Sequence, residues 1–453
     1  MSAFGGFVVT FMSSGINVGL TTINKDFGVS AVYLTWISLA MVLVSAAVLL
    51  PVGRLADRCG RMRFYIAGTA LSTVVSFASA LAPSAGVLLV LRMLAGISLG
   101  IGSVTAPALV VLAYPVQTRG RALGWTVAGV YLGVTAGPFL GGLMFDSIGW
   151  RGFFALLAAV NLITVIVPLW KLRHLEWREP ANGRFDLAGT LLYAAGLVAL
   201  LIGFSLLPRI AGAVLVPVGV LVLAGFLWWE GRAGDPLLPM DLLRRNRVFA
   251  FSNGAVLVNY AATAAMSLLM SYYFIVIRGL DPRMAGLLIS AGSLVQTVFS
   301  PVAGRLSDRL SARYVASAGM SICVLALFAL IFLTASTPYW YVVLALCGLG
   351  LGFAFFSTPI TYTIMQSVDK TRVGTASATI SALRQAGMNL SLGVATMLIA
   401  IYVGPLKLEH ADAAVHAPLL TTIRIGFTIF TVLCAAGIGA SLVGPPKTAA
   451  ARR

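Results

Sequence analysis

Two arginines stand where a charge is hardest to keep. Arg92 and Arg384 each fall inside a long apolar run of this 453-residue chain. A charged side chain at the centre of a bilayer costs at least about 3 kcal/mol, so it commonly turns toward a polar cavity, where a guanidinium can hold an anion. Snorkelling from a helix end is the plainer reading of the same residues. Asn259, Tyr260, Thr263, Met266, Ser267, Met270 and Tyr273 fall at steps that share one helical face, and Ser377, Ser381, Arg384, Met388 and Ser391 form a second such stripe. Methionine and aromatic side chains re-pack around varied ligands, so both stripes suit an adaptable pocket as well as interhelical hydrogen bonding. Gly129, Gly133, Gly137 and Gly141, spaced by four, make a face on which another helix can approach to backbone distance. Pro138 removes a backbone bond within that run and invites a bend, and Gly142 follows it. Asp57 sits in a loop with Arg54, Arg58, Arg61 and Arg63. Its plain reading is a salt-bridged, topogenic turn.

No catalytic set accompanies these residues. His174, His410 and His416 lie in loops too far apart to suggest a metal site, and no nucleophile has a base at a useful spacing. Gly100-Ile101-Gly102 lies within an apolar run and reads as helix packing, not a dinucleotide site. Cys59, Cys323, Cys347 and Cys434 show neither extracellular pairing nor ligand spacing. An enzyme, a metal and a cofactor are therefore not expected.

The elements that position such residues are apolar helices. The chain is 59% hydrophobic and 10% charged, against roughly 25% charged residues in a soluble domain. A span needs about 20 apolar residues, and fourteen can be laid out, among them the fourth at 87–113, the fifth at 122–145, the ninth at 248–277 and the thirteenth at 375–403. None shows the alternation of a membrane barrel, so the expected class is an all-α polytopic membrane protein. The first run, 3–23, lacks a basic start and a cleavage site and is read as a retained span. Of the 31 Lys and Arg residues, 22 fall in loops and tail on the side of the termini and seven on the other. The positive-inside rule then puts both termini in the cytoplasm of a cell-membrane protein. The net charge of +17 reflects this orientation and not a nucleic-acid partner.

The chain also repeats itself. Gly53-Arg54-Leu55-Ala56-Asp57-Arg58 returns as Gly304-Arg305-Leu306-Ser307-Asp308-Arg309, and Thr118-Arg119 returns as Thr371-Arg372. The expected architecture is a six-helix bundle (1–170), a segment (171–247) with an extra helix pair at 187–229, and a second six-helix bundle with a short tail (248–453). Both copies begin on one side, so they are parallel repeats, an arrangement that places substrate near mid-membrane between rocking halves.

At these residues the chain resembles the major facilitator superfamily, and within it the fourteen-span drug/proton antiporters. Gly53 to Arg63, with Asp57, Gly60 and Arg61, is close to that superfamily's loop signature between helices 2 and 3. Gly133-Val-Thr-Ala-Gly137-Pro138-Phe-Leu-Gly141-Gly142 is similar to its export-associated fifth-helix motif. Glu230 through Pro236 to Phe249, and Arg384-Gln385-Ala386-Gly387, resemble the fourteen-span subfamily. The resemblance implies a latch in which Asp57, with Arg58 and Arg61, faces the N-terminal end of a helix near Thr375, echoed at Gly304, Asp308 and Arg309. It further implies gating at the glycine-rich fifth span, and substrate or coupling roles for Asn17, Thr21, Arg92, Asn259, Tyr260, Thr263, Met266, Met270, Arg384 and Met388. Two positions depart from the subfamily: Met12 stands where it has an aspartate, and Ala95 where the fourth helix has a glutamine.

These readings converge on a secondary transporter exporting small lipophilic molecules by alternating access, acting as a monomer in the lipid bilayer. The fourteen acidic residues are placed in loops or at helix ends, so a neutral or anionic substrate is expected. Protons, if coupled, would need a helix-end carboxylate such as Asp57. A lipid flippase and a metabolite symporter are the alternatives on the same fold.

Overall fold

In a bilayer each backbone N–H and C=O must find a partner inside the chain, and an apolar sequence without barrel alternation does this as helices. The computed structural model describes residues 2–29, 31–171, 185–206, 209–234, 236–238, 240–403 and 416–443, and among them it is helical, with no strand. The chain runs through α1 (Ser2–Phe27), α2 (Ala31–Cys59), α3 (Arg61–Ala80), α4 (Ala85–Ala113) and α5 (Arg119–Lys171). There follow α6 (Leu187–Leu206), α7 (Ile210–Glu230) and the short α8 (Met240–Arg245). Then come α9 (Arg247–Thr263), α10 (Met266–Tyr272), α11 (Pro282–Arg309), α12 (Ala312–Ile331), α13 (Tyr339–Gln366), α14 (Val373–Tyr402) and α15 (His416–Leu442).

Local sequence explains several boundaries. Gly149, at φ 69°, interrupts α5 and divides it into two helical arms; only glycine takes that backbone region freely. Gly60, at φ 106°, makes the tight corner between α2 and α3. Asn246 caps α9 by accepting from the Phe249 amide at 3.0 Å, and Asp281 caps α11 with Pro282 in its first turn. Eleven helical stretches among the described residues are long and apolar enough to cross a membrane, with Val116–Trp170 counted as one. Large apolar side chains stand on the outer surface, including Ile210 (83% exposed), Trp170 (78%) and Phe139 (71%). That pattern suits lipid, not water.

The contacts divide the chain into two compact units. The first comprises Met1–Val198, Leu223–Met240 and Val368–Ala382, and the second Ala199–Val222, Asp241–Ser367 and Leu383–Arg453. Helices α6, α7 and α14 thus contribute to both. In the first unit α1 lies along α5, α2 along α4, and α3 against both α4 and α5. An aromatic cluster fixes its core, with Phe145 stacked on Phe153 at 4.6 Å and Phe153 edge-on to Phe154. In the second unit α11 and α12 pack on α13, and α15 packs on α12 and α9. Small residues set these approaches, since lipid offers no hydrophobic drive for helices to associate. A Cβ on Gly68 would strike Ile101 between α3 and α4, and one on Gly319 would strike the backbone of Phe355 between α12 and α13.

Candidate functional site

Asp57 lies at the end of α2 and is fully buried. Burial of a carboxylate demands donors, and they come from the start of α14. Asp57 Oδ2 accepts from the Thr375 backbone N–H and from the Thr375 hydroxyl, each at 2.7 Å. Its Oδ1 accepts from Arg61 Nε at 2.5 Å. The Arg61 guanidinium then donates to the Lys370 carbonyl at 3.1 Å and to the Thr371 carbonyl, in the 3₁₀ turn Lys370–Arg372 that leads into α14. A carboxylate at a helix N-terminus gains from unpaired amides and the positive end of the dipole. Gly374 leaves the space this needs, for a Cβ there would overlap Asp57 Oδ1, and one on Gly53 would overlap Ala378. Arg58 is half-buried and has an interaction partner. In the second unit Gly304 is buried while Asp308 is half-buried and Arg309 exposed, so the two copies of the loop differ in burial.

The glycine face of α5 is seated on α1. A Cβ at Gly133 would meet Thr10 Oγ1 and the Phe7 carbonyl, one at Gly137 would meet Ser14 Oγ and Gly15 N, and one at Gly141 would come to 3.0 Å from Gly15 Cα. Two hydroxyls bond across the seam, Thr10 to the Val130 carbonyl at 2.8 Å and Ser14 to the Gly133 carbonyl at 3.2 Å. Pro138 points to the exposed side, Gly142 is half-buried, and helical dihedrals continue past both.

Arg92 is buried in the first unit at 1% exposure. Its Nε donates to the Ile37 carbonyl of α2 at 3.2 Å, and its Nη1 has no hydrogen-bond partner. Met12 and Ala95 belong to the apolar core of this unit, and Ser76 Oγ touches Met12 Sδ at 3.8 Å. The side chains of Asn17 and Thr21 lie outside the described residues.

In the second unit the later part of one stripe, from Arg384 to Ser391, meets the other, while Ser377 and Ser381 belong to the first unit. Gly387 of α14 lies against α9, where a Cβ would come to 2.5 Å from the Leu257 carbonyl. The Arg384 guanidinium stands 5.0 Å from the centre of the Tyr260 ring, which is edge-on to Phe353 at 4.9 Å. Arg384 Nε, Tyr260 Oη, Asn259 Oδ1 and Asn389 Nδ2 are buried atoms without hydrogen-bond partners. Such atoms are costly unless something else engages them. Thr263 is buried and bonds back to the Asn259 carbonyl, Met270 is buried, and Met266 and Met388 are half-buried. The ninth-span stripe is not one continuous helix face, because the helix breaks at Ala264–Ala265 and the Ala265 amide donates instead to Ser391 Oγ at 2.9 Å.

Two groups carry geometry that residue spacing does not flag. Thr375 anchors Asp57 across 318 residues of sequence, at the helix start that the family resemblance marks as the facing end but through donor atoms that spacing does not name. Asp186 and Glu230, at the ends of the extra helix pair, are brought side by side in the first unit.

Residues 2–392 match the profile of the Major Facilitator Superfamily. The chain is 31% identical over 427 residues to the multidrug resistance protein Stp of Mycobacterium tuberculosis (strain CDC 1551 / Oshkosh), covering 92% of this chain and 78% of that protein. It is 27% identical over 395 residues to the riboflavin transporter RibZ of Clostridioides difficile (strain 630), covering 86% and 84%. Among solved structures, the human organic anion transporter MFSD10 (TETRAN) superposes with a TM-score of 0.65 at 14% identity, over 97% of this chain and 98% of that one. That likeness concerns the fold.

Proposed function

This chain belongs to the Major Facilitator Superfamily, a transporter and not an enzyme, and from that premise we propose that it exports small lipophilic molecules across the plasma membrane by alternating access. The observation that carries export is the run Gly133 to Gly142, whose glycines seat α5 on α1 at backbone contact. Two hydroxyl–carbonyl bonds, from Thr10 and Ser14, cross that glycine face, so the seam slides or opens when those bonds yield. The relative Stp, named for multidrug resistance, supports the same direction.

The finer reading is a fourteen-span chain with both termini in the cytoplasm. The eleven apolar stretches, with Val116–Trp170 divided at Gly149 and with α1 and α3 added, supply that number. The buried network of Asp57, Arg61 and Thr375 then acts as the latch of one conformation. The substrate is neutral or anionic. Arg92 and Arg384 each have an unused buried nitrogen, and the described acidic residues lie near helix ends or in loops.

One observation favours a second reading. RibZ is named a riboflavin transporter, so metabolite transport by symport on this fold is the rival. Reconstitution in proteoliposomes separates them. With an imposed pH gradient, a neutral or anionic dye moves against its own gradient in the export direction, while a dicationic dye and a labelled phospholipid do not. Net uptake of a flavin in the opposite direction, or movement of the lipid alone, overturns the export proposal.

A further inference from the structure

The extra helix pair brings two carboxylates together. Asp186 precedes α6 and is well provided with donors: the Gly189 amide at 2.8 Å and the Trp229 indole N–H at 3.1 Å. It behaves as a helix N-cap. Glu230 ends α7 at 1% exposure. Its Oε2 accepts from the Leu238 amide at 2.9 Å, while its Oε1 is buried and has no partner. A Cβ built on Gly189 would lie 2.7 Å from Glu230 Oε1 and closer still to Asp186 Oδ2, so these two oxygens are within about 5 Å of each other.

Two carboxylates this close, one of them buried, do not both ionise without a penalty. The group short of donors is the one that yields. We infer that Asp186 and Glu230 form a proton-binding site, with the proton held on the Oε1 atom of Glu230. A proton there cancels the like-charge repulsion, gives the orphan oxygen a hydrogen to share, and faces it toward Asp186 Oδ2. Two carboxylates are a poor cage for a metal ion, and no group of three or more potential ligands occurs among the described residues. Among the described residues, the charged groups that face Glu230 are Asp186 and, from α2, Arg54. Arg54 lies three residues before Asp57, so loading or losing the proton changes the field felt at the end of α2 that grips α14. The extra pair thereby gains a chemical role, and this inference holds whichever molecule the chain carries.

Infrared difference spectra of the purified full-length chain, recorded between acid and neutral pH, test this without any transport assay. The wild type should gain a protonated-carboxyl stretch on acidification across the neutral range, and Glu230→Gln should lose it. Asp186→Asn keeps a capping side chain but removes the neighbouring charge, so the band should appear about one pH unit lower or more. Arg54→Gln should move it the other way. If Glu230→Gln does not fold, because it also holds Leu238, the opposite shifts of the other two variants still decide. No band in the neutral range, or a band unmoved by Asp186→Asn and Arg54→Gln, overturns the assignment. Suppression of the band by Na⁺ or Mg²⁺ at fixed pH also overturns it, in favour of a metal cation.

Discussion

Asp57 shows how much one buried carboxylate can hold. It takes two donors from Thr375 and one from Arg61, all charge-assisted, and such bonds are worth about 1.5–3 kcal/mol each. Asp57→Asn keeps the volume but loses the charge, and transport should fall by at least roughly tenfold while membrane insertion is unchanged. Initial rates in proteoliposomes check this, and an unaltered rate would remove the latch. Asp57 was legible beforehand because its loop is repeated at Asp308. Arg61's reach to the carbonyls of Lys370 and Thr371 was not, since no local pattern signals a partner some 310 residues away. A second carboxylate makes a pH prediction. The Trp150 indole N–H, and then Arg151, hold the Asp26 carboxyl below its ordinary value of 3.8. A depressed carboxyl stabilises the fold above its ordinary value and ceases to do so as pH falls through its folded one. Melting curves of Asp26→Asn should therefore lose part of the acid-dependent decline seen in the wild type below about pH 4, with little change at neutral pH beyond the lost ion pair.

Among the elements, the α1–α5 seam is the sharpest case. Its spacing by four was readable from the glycines alone, but its partner was not, because many helices could have filled the groove. The hydroxyls of Thr10 and Ser14 identify α1 once the structure is known. Gly137→Val would drive a branched side chain into Ser14 and Gly15. We expect a loss of about 1–3 kcal/mol, seen as a lower melting temperature in detergent, together with lost transport. Gly102, where an added Cβ meets nothing within 4 Å, should accept alanine without either effect. The ninth span shows the limit of reading by periodicity. Its stripe from Asn259 to Tyr273 was drawn on an ideal helix, whereas the break at Ala264–Ala265 and the π-helical turn Tyr273–Ile277 alter the register. Neither has a proline or glycine to announce it.

For the whole molecule, orientation is the testable claim that composition supports. Among the four cysteines Cys59 is the exposed one, Cys347 being half-buried and Cys323 and Cys434 buried, and it lies at the Asp57 end of α2. A membrane-impermeant thiol reagent should label it in inside-out vesicles and not in right-side-out ones. The reverse pattern would invert the topology. That the chain is built of apolar helices was legible from hydropathy because lipid imposes a single simple demand on every span. The structure, however, gives eleven such stretches among the described residues against the fourteen laid out, since Val116–Trp170 runs on as one and α1 and α3 fall outside that set. The juxtaposition of Asp186 and Glu230 was not legible, because it depends on how one helix returns beside another.

The outward-facing Ile210, Trp170 and Phe139 have one practical consequence. Once extracted, the chain must carry a collar of bound amphiphile over that surface. Size-exclusion elution will then report protein and collar together and can imitate a dimer. Light scattering combined with ultraviolet absorbance and refractive index weighs the polypeptide alone, and it should return the mass of a single 453-residue chain.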